Sequence, residues 1–571
     1  MPLKLFTRTG VFSHDDIQVT SGTPNQARSE SIIAVNPNDQ NNIIAASKKF
    51  SDPDTYRFTI GIRVSFDGGD TWQDSTLPTL PEWGAMVGSG QQGASTGMTD
   101  PAIVFDDFGN AFMVCEPIKY GADIQTIGMY VSKSTDGGFH WSTPVPLHVG
   151  DLEDDKSWIA ADNNPASPHY GNIYIAWGAI SPLRFARSTD HGQSWKGVGN
   201  ETTGSTLAAR TFAPEVSVGL DGTVHIVWCP NNPTPKDTIE YMRSVNGGET
   251  FELQKTIVED VHGLNGNLDK IGTEGFGQWP HFPGATFRVG TLATGCAYGF
   301  DPPNENEFST LNNKVFYAPI NVRPRNFVVA WSDMRDGVAR IYYKTSSNAG
   351  ASFDGPKNGQ PLLGGQTADP NLHHFHPQIV STGSGVIGCA YYEYGPKAGQ
   401  NLIDVKLSAS FDKGKTFPYT TTVTDRPWDP TIHAPHSHGD PAVTFIGEYF
   451  GLDAHDTGFD VLWTDTRTGG QELFYDRVQT ERDETPEKFK GISLEILFGA
   501  IGGGEGIGFV NGHIIHIDPR GPVFELGQAL IALDAARKIT GPAGHVLTKS
   551  IYTAIATIAK LAGQRAKGLN S

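Results

Sequence analysis

Two histidine-rich segments are the first candidates for chemistry in this 571-residue chain. His373-His374-Phe375-His376 and His433-Ala434-Pro435-His436-Ser437-His438-Gly439-Asp440 crowd six imidazoles and a carboxylate into two short stretches. Imidazole and carboxylate are metal ligands, so His374, His376, His436, His438 and Asp440 form a candidate site for a divalent ion, zinc or calcium. A neutral histidine also serves as a general base in a polysaccharide lyase or hydrolase. The third reading is local hydrogen bonding in proline-punctuated loops, since no His-x-x-x-His spacing is present. Charged residues recur where apolar, strand-like runs begin or end. Arg28, Glu30, Asp100, Asp155, Lys156, Arg210, Glu215 and His281 lead into such runs. Asp52, Glu116, Asp333, Arg335, Tyr392, Glu393, Asp465 and Arg467 follow them. So many charges converging on one funnel would suit a polar ligand such as a sugar.

A repeat must position these residues. Ser65-Phe-Asp67-Gly-Gly69-Asp-Thr-Trp72, Ser134-Thr-Asp136-Gly-Gly138-Phe-His-Trp141 and Ser188-Thr-Asp190-His-Gly192-Gln-Ser-Trp195 share one form. Ser244–Phe251, Ser346–Phe353 and Ser410–Phe417 repeat it more loosely. In Ser-x-Asp/Asn-x-Gly-x-x-aromatic, Asp or Asn bonds the backbone nearby, Gly supplies positive φ, and the aromatic plugs the turn. Successive copies start 69, 54, 56, 102 and 64 residues apart, each after three strand-like runs. Strand-rich units at such periods read as blades.

The repeat resembles the Asp-box of sialidases and other Asp-box propeller proteins, over about residues 16–478. The fold class expected is all-β, a seven-bladed Asp-box β-propeller, with six blades as the alternative. The seventh blade has no box: Val443–Ile446, Phe459–Trp463 and Glu472–Tyr475 are its strand runs, and Asp16–Thr20 can supply its outer strand. The gap of 102 residues carries an insertion, roughly residues 261–313, expected as a long surface loop.

The resemblance also implies a site. The boxes join strands three and four, so their acids are structural and ligands bind on the opposite face. Sialidases hold a substrate carboxylate with three arginines, pair a nucleophilic tyrosine with a glutamate base, and use a loop aspartate as acid/base. On that pattern Asp52, Tyr392 and Glu393 are catalytic. Arg28, Glu30, Asp100, Lys156, Arg210, Glu215, Arg335 and Arg467 bind substrate. The Arg-Ile-Pro signature is replaced by Arg28-Ser-Glu30-Ser-Ile-Ile, and adjacent Tyr392 and Glu393 point to opposite faces of a strand. Arg335 and Arg467 belong to a repeated Trp-x-Asp-x-Arg motif, which reads as blade architecture. Two classes of function follow. One is a glycoside hydrolase acting on a glycan in the central funnel; the other is a lectin-like glycan-binding propeller or a protein-interaction scaffold. Trp83, Trp158, Trp279 and Trp428 can stack on sugars in either case. Ligand-face residues that differ from blade to blade favour a single asymmetric site.

Composition fits. Gly (67) and Pro (37) are abundant, as a turn-rich fold requires, and the net charge of −19 disfavours nucleic acid or anionic membranes as partners. No run approaches the roughly 18 apolar residues of a membrane span. An apolar signal core is lacking, so the expected location is the cytoplasm or export without a cleaved signal. Cys115, Cys229, Cys296 and Cys389 lie in apolar runs without metal spacing and read as buried free thiols. The propeller is placed at residues 1–480, followed by a charged linker at 481–490. Residues 491–571 form a small α+β domain of a strand, an Asn511-Gly512 hairpin and two helices. Their apolar stripes suggest packing or oligomerisation.

Overall fold

Short apolar runs joined by Gly-, Asn- and Asp-bearing turns fold most economically as antiparallel meanders, each residue pairing with a near neighbour in sequence. The computed structural model describes residues 9–22, 26–81, 83, 96–120, 124–150, 154–179, 182–299, 309–311, 314–316, 325–364, 369–455, 457–481, 494–497, 506–510 and 513–517. It divides the chain into two units, Gly10–Thr480 and Met1–Thr9 with Glu481–Ser571.

The first unit is a seven-bladed β-propeller. Among the described residues, seven sheets each carry a four-strand meander. Their inner strands are Arg28–Asn36, Thr96–Phe105, Trp158–Ala161, Glu215–Val218, Ala293–Tyr298, His373–Ser381 and Gly451–His455, which number the blades one to seven. In blade seven the strand Glu472–Glu481 pairs with Ile17–Gln18 and with Gly10–Phe12, so the N-terminal segment closes the ring.

Among the described residues the core is not one mass but eight clusters, one between each pair of neighbouring blades and an eighth around Phe50, Tyr56, Phe58 and Phe445. Alternation along a strand explains this, because successive side chains leave opposite faces of a sheet. In blade six, Tyr391 joins the cluster shared with blade five, around Tyr343 and Phe417. Tyr392, one residue on, joins the cluster shared with blade seven, around Phe450 and Trp463. The last inter-blade cluster joins blades seven and one through Leu462, Tyr475, Ile33 and Ile43.

Two sequence expectations need correction here. The stretch 261–313 is not simply a surface loop: it holds the inner strand of blade five, and Phe282 and Phe287 are buried. The inner strand of blade seven is Gly451–His455 rather than Val443–Ile446. The backbone of Ile32 and Ile33 approaches Gly451 so closely that a side chain there would collide, and the bulkier run cannot take that place. All four cysteines are free thiols, three of them buried.

In the second unit, Leu494–Leu497, Gly506–Val510 and His513–Ile517 form a three-stranded antiparallel sheet. Val510 pairs with His513; the expected Asn511-Gly512 turn lies outside the described residues. The two expected helices lie outside the described residues. Among the described residues, no helix is long and apolar enough to cross a membrane.

Candidate active site

Residues from all seven inner strands line a cavity of about 400 Å³, which marks the propeller axis. It runs from Ile32, Ala102, Trp158, Glu215, Gly295 and Gln378 toward Asn36 and Pro37. Two residues before this lining the backbone does the same unusual thing in five blades. Glu30 (φ 50°), Asp100 (46°), Lys156 (57°), Ala213 (45°) and His376 (48°) are left-handed. In blades one, two and six the pairing register shifts at this point, between Ser29 and Ile32, Thr99 and Ala102, and Phe375 and Gln378. These are bulges, and a bulge re-aims a side chain.

What they aim is a charged network. The Lys156 ammonium lies 2.9 Å from Glu30 Oε1, 3.0 Å from Glu448 Oε2 and 4.0 Å from Asp100 Oδ2. Lys48, from the second strand of blade one, pairs with Glu30 and lies 3.2 Å from Asp100 Oδ1. Arg288, from the insertion, is 3.4 Å from Glu448 Oε1 and donates to Ser437 Oγ at 3.2 Å. The Tyr449 hydroxyl donates to Asp100 at 3.3 Å, and Asp155 hydrogen-bonds Asp100 side chain to side chain. His438 is sandwiched between Tyr56 (centroids 5.0 Å) and Trp279 (4.9 Å), both nearly parallel to it. Asp155, His438 and Trp279 keep open surface, whereas Glu30, Asp100, Glu116 and His376 are buried.

Electrostatics divides the carboxyl groups. Burial and the neighbouring Asp100 push Asp155 well above the usual carboxylate range, and burial and Asp155 do the same to Glu116. Asp100 and Glu448, although burial alone would raise them, are held low. Lys156 and Lys48 hold down Asp100; Arg288 and Lys156 hold down Glu448. Burial pushes His376 down to about 3, so it is neutral, and neither ring nitrogen has a protein partner.

The expected site residues divide as well. Glu30, Asp100, Lys156, His376 and His438 meet in this network. Glu215 lies further along the axis, accepting from Gly295 N–H (3.1 Å) and Gln378 (3.3 Å), with burial raising it to about 7. The catalytic trio is not brought together. Tyr392 is buried against Phe450 and Trp428, while Glu393, on the other face of the strand, bonds His374 (3.0 Å) and Lys397 (3.1 Å). Asp52 is half-buried, and its carboxylate caps its own turn through Thr55 and Asp54; the Thr55 hydroxyl holds it low, the wrong direction for an acid. Arg28 packs against Gly61 on the third strand of blade one, and Arg210 is exposed. Arg335 and Arg467 are pinned by Asp333 and Asp465, which also accept from Trp331 and Trp463, so the repeated motif is architectural.

Nor do the expected metal ligands converge. His374 faces Glu393, His436 lies 3.7 Å from Asp54, and Asp440 accepts three hydrogen bonds from Thr273 and Ala442. One other group has cation-binding spacing: Asp100, Glu116 and Asp155 bring an oxygen each within 4.8 Å of one another. Both oxygens of Asp100 already face ammonium groups, so this donor set does not fit a divalent ion. Of the loop tryptophans, Trp83 and Trp428 are buried, and Trp158 lines the axis.

Sequence reasoning missed Lys48, Tyr56, Arg288, Glu448 and Tyr449. Proline supplied a signal that was there to read: Asp100, Ala213 and His376 each precede one, at the same point of their blades.

No protein-family model matches the sequence, and no curated protein matches it. Solved structures do. A protein of unknown function from Dyadobacter fermentans aligns at 12% identity and TM-score 0.43, over 82% of this chain and 99% of its own. The leech intramolecular trans-sialidase aligns at 11% and 0.39, over 70% of each chain. The α-L-arabinanase of Penicillium chrysogenum aligns at 13% and 0.36, over 82% of this chain and 98% of its own. The chain is thus similar in structure, at low identity, to sialidase and trans-sialidase propellers and to a propeller of unknown function.

Proposed function

We propose that the protein is a glycoside hydrolase whose site is the charged mouth of the propeller axis, with Asp155 as the acid and Glu448 as the partner carboxylate. The observation that carries this reading is the division of the carboxyl groups. Asp155 is partly exposed and pushed well above the usual carboxylate range by burial and by Asp100, while Arg288 and Lys156 hold Glu448 below it. Cleaving a glycosidic bond needs one carboxyl group protonated and one ionised. Asp155 delivers its proton to the leaving-group oxygen, and the Lys156 backbone N–H, 2.9 Å from Asp155 Oδ1, steadies the carboxylate left behind. Glu448 attacks the anomeric carbon or deprotonates the water that does. Trp279, its ring stacked on His438, offers a platform for a sugar face.

Assaying the full chain on a broad panel of fluorogenic glycosides tests this. Turnover that Asp155→Asn and Glu448→Gln each abolish is the expected result. Saturable binding of a glycan with no turnover of any panel member would make this a binding propeller instead.

A further inference from the structure

We propose that the sugar seated at this mouth is uncharged, a neutral pentose or hexose unit, and that sugars bearing a carboxylate are excluded. The inference rests on the glycan reading above and adds its substrate class.

A carboxylated sugar needs a cation free to receive it, usually an arginine fork. Among the described residues, every cation of the network is already committed. Lys48 serves Glu30 and Asp100, and Lys156 serves Glu30 and Glu448. Arg288 serves Glu448, donates to Ser437, and has its plane against Trp279 (4.6 Å) and Phe445 (4.3 Å). Turning any of them toward a ligand would strand a buried carboxylate, the costly outcome for a buried ion pair.

The charge balance points the same way. Three cations, Lys48, Lys156 and Arg288, face the carboxylates of Glu30, Asp100 and Glu448, so no cation is in surplus. Glu116 has no hydrogen-bond partner for either oxygen. Asp155 has open surface, so an incoming carboxylate would meet another acid first. The arginines expected as a carboxylate clamp are elsewhere: Arg28 lies against Gly61, and Arg335 and Arg467 are held by their own aspartates. Arg210 is exposed and takes no part in the network's ion pairs. What the mouth does offer is a flat aromatic surface and hydrogen-bonding groups, which suit a ring of C–H faces and hydroxyls.

The test is titration calorimetry of the full chain with oligosaccharide pairs that differ by a carboxylate. Glucosides are set against glucuronides, galactosides against galacturonides, and lactose against sialyllactose. The expected result is binding of a neutral member, with its acidic counterpart weaker by about tenfold or more. Equal or tighter binding of the acidic member overturns the inference and leaves the glycan reading standing. Binding of no member overturns the glycan reading, and the inference with it. Glu448→Gln sharpens the test, because it releases Arg288 and Lys156. The acidic-to-neutral affinity ratio should then rise about tenfold. Should that variant not fold by circular dichroism, Glu30→Gln, which releases Lys48 and Lys156, must raise the same ratio by about threefold. An unchanged ratio in a folded variant overturns the proposal.

Discussion

The box turns on one face and the collar around the mouth use the same backbone device to opposite ends. In all six boxes a left-handed glycine lets the Ser hydroxyl accept from its N–H at 2.8–2.9 Å. The Asp or Asn carbonyl or carboxylate oxygen accepts from the Ser hydroxyl at 2.8–3.0 Å every time. Side chains that serve only their own turn have no reason to diverge. In the collar the backbone also repeats, yet the residues are Glu30, Asp100, Lys156, Ala213 and His376. All five accept left-handed strain of roughly 1 kcal/mol each that glycine would avoid. Strain retained where glycine would remove it points to side chains that are needed at the axis.

The largest effects should come from the collar and its neighbours. Asp155→Asn or Glu448→Gln should lower kcat by about 10²–10⁴-fold, with the far-UV spectrum unchanged. Tyr392→Phe and Glu393→Gln should leave kcat alone, because Tyr392 packs into the interface with blade seven and Glu393 is held by His374 and Lys397 of its own blade; a large loss from either would break the comparison. Next in size is a pH effect at the axis. Burial raises Glu215 to about 7, above its unfolded value, so its contribution is full below about pH 4.5 and is lost as pH rises through 7. Unfolding free energy should fall by up to about 3 kcal/mol across that window, and Glu215→Gln should flatten the slope. In the boxes, Asp136→Ala should cost about 1–2 kcal/mol in denaturant titrations while leaving ligand affinity untouched. The smallest stability change, a gain below about 1 kcal/mol, is expected for Ala213→Gly, the collar position with no polar side chain to lose. A chelator should change neither activity nor melting temperature, since both oxygens of Asp100 in the carboxylate cluster face lysines.

The legibility of the chain follows the same division. Boxes were readable because short-range hydrogen bonding dictates residue types at fixed spacing, and blade count followed from the second Trp-x-Asp-x-Arg. Glu30, Asp100 and Lys156 were readable as charges leading into strands. Arg288 was not, because it lies in a Gly- and Asn-rich insertion whose strand, Ala293-Thr-Gly-Cys-Ala-Tyr298, has small residues and no apolar signature. Gly295 shows why: a side chain there would strike Phe327 and Val227. The catalytic trio misled for a different reason. Alternation put Tyr392 and Glu393 on opposite sides of their sheet; Tyr392 packs toward blade seven and Glu393 pairs with His374 of its own blade, neither at the axis.

The ring is closed by residues from the two ends of the propeller. Arg467 grips Asp16 at 2.5 Å, Val19 N–H donates to Leu473, and His14 N–H reaches Asp476 across 462 residues. At a synthesis rate of about 5–20 residues per second, the first strand leaves the ribosome roughly 20–90 s before its mate exists. During that wait six blades can be complete while the face of the first lies bare, with Ile33 and Ile43 awaiting Leu462 and Tyr475. The circle is therefore the last thing made, and the nascent protein is an open arc with a sticky edge at each end.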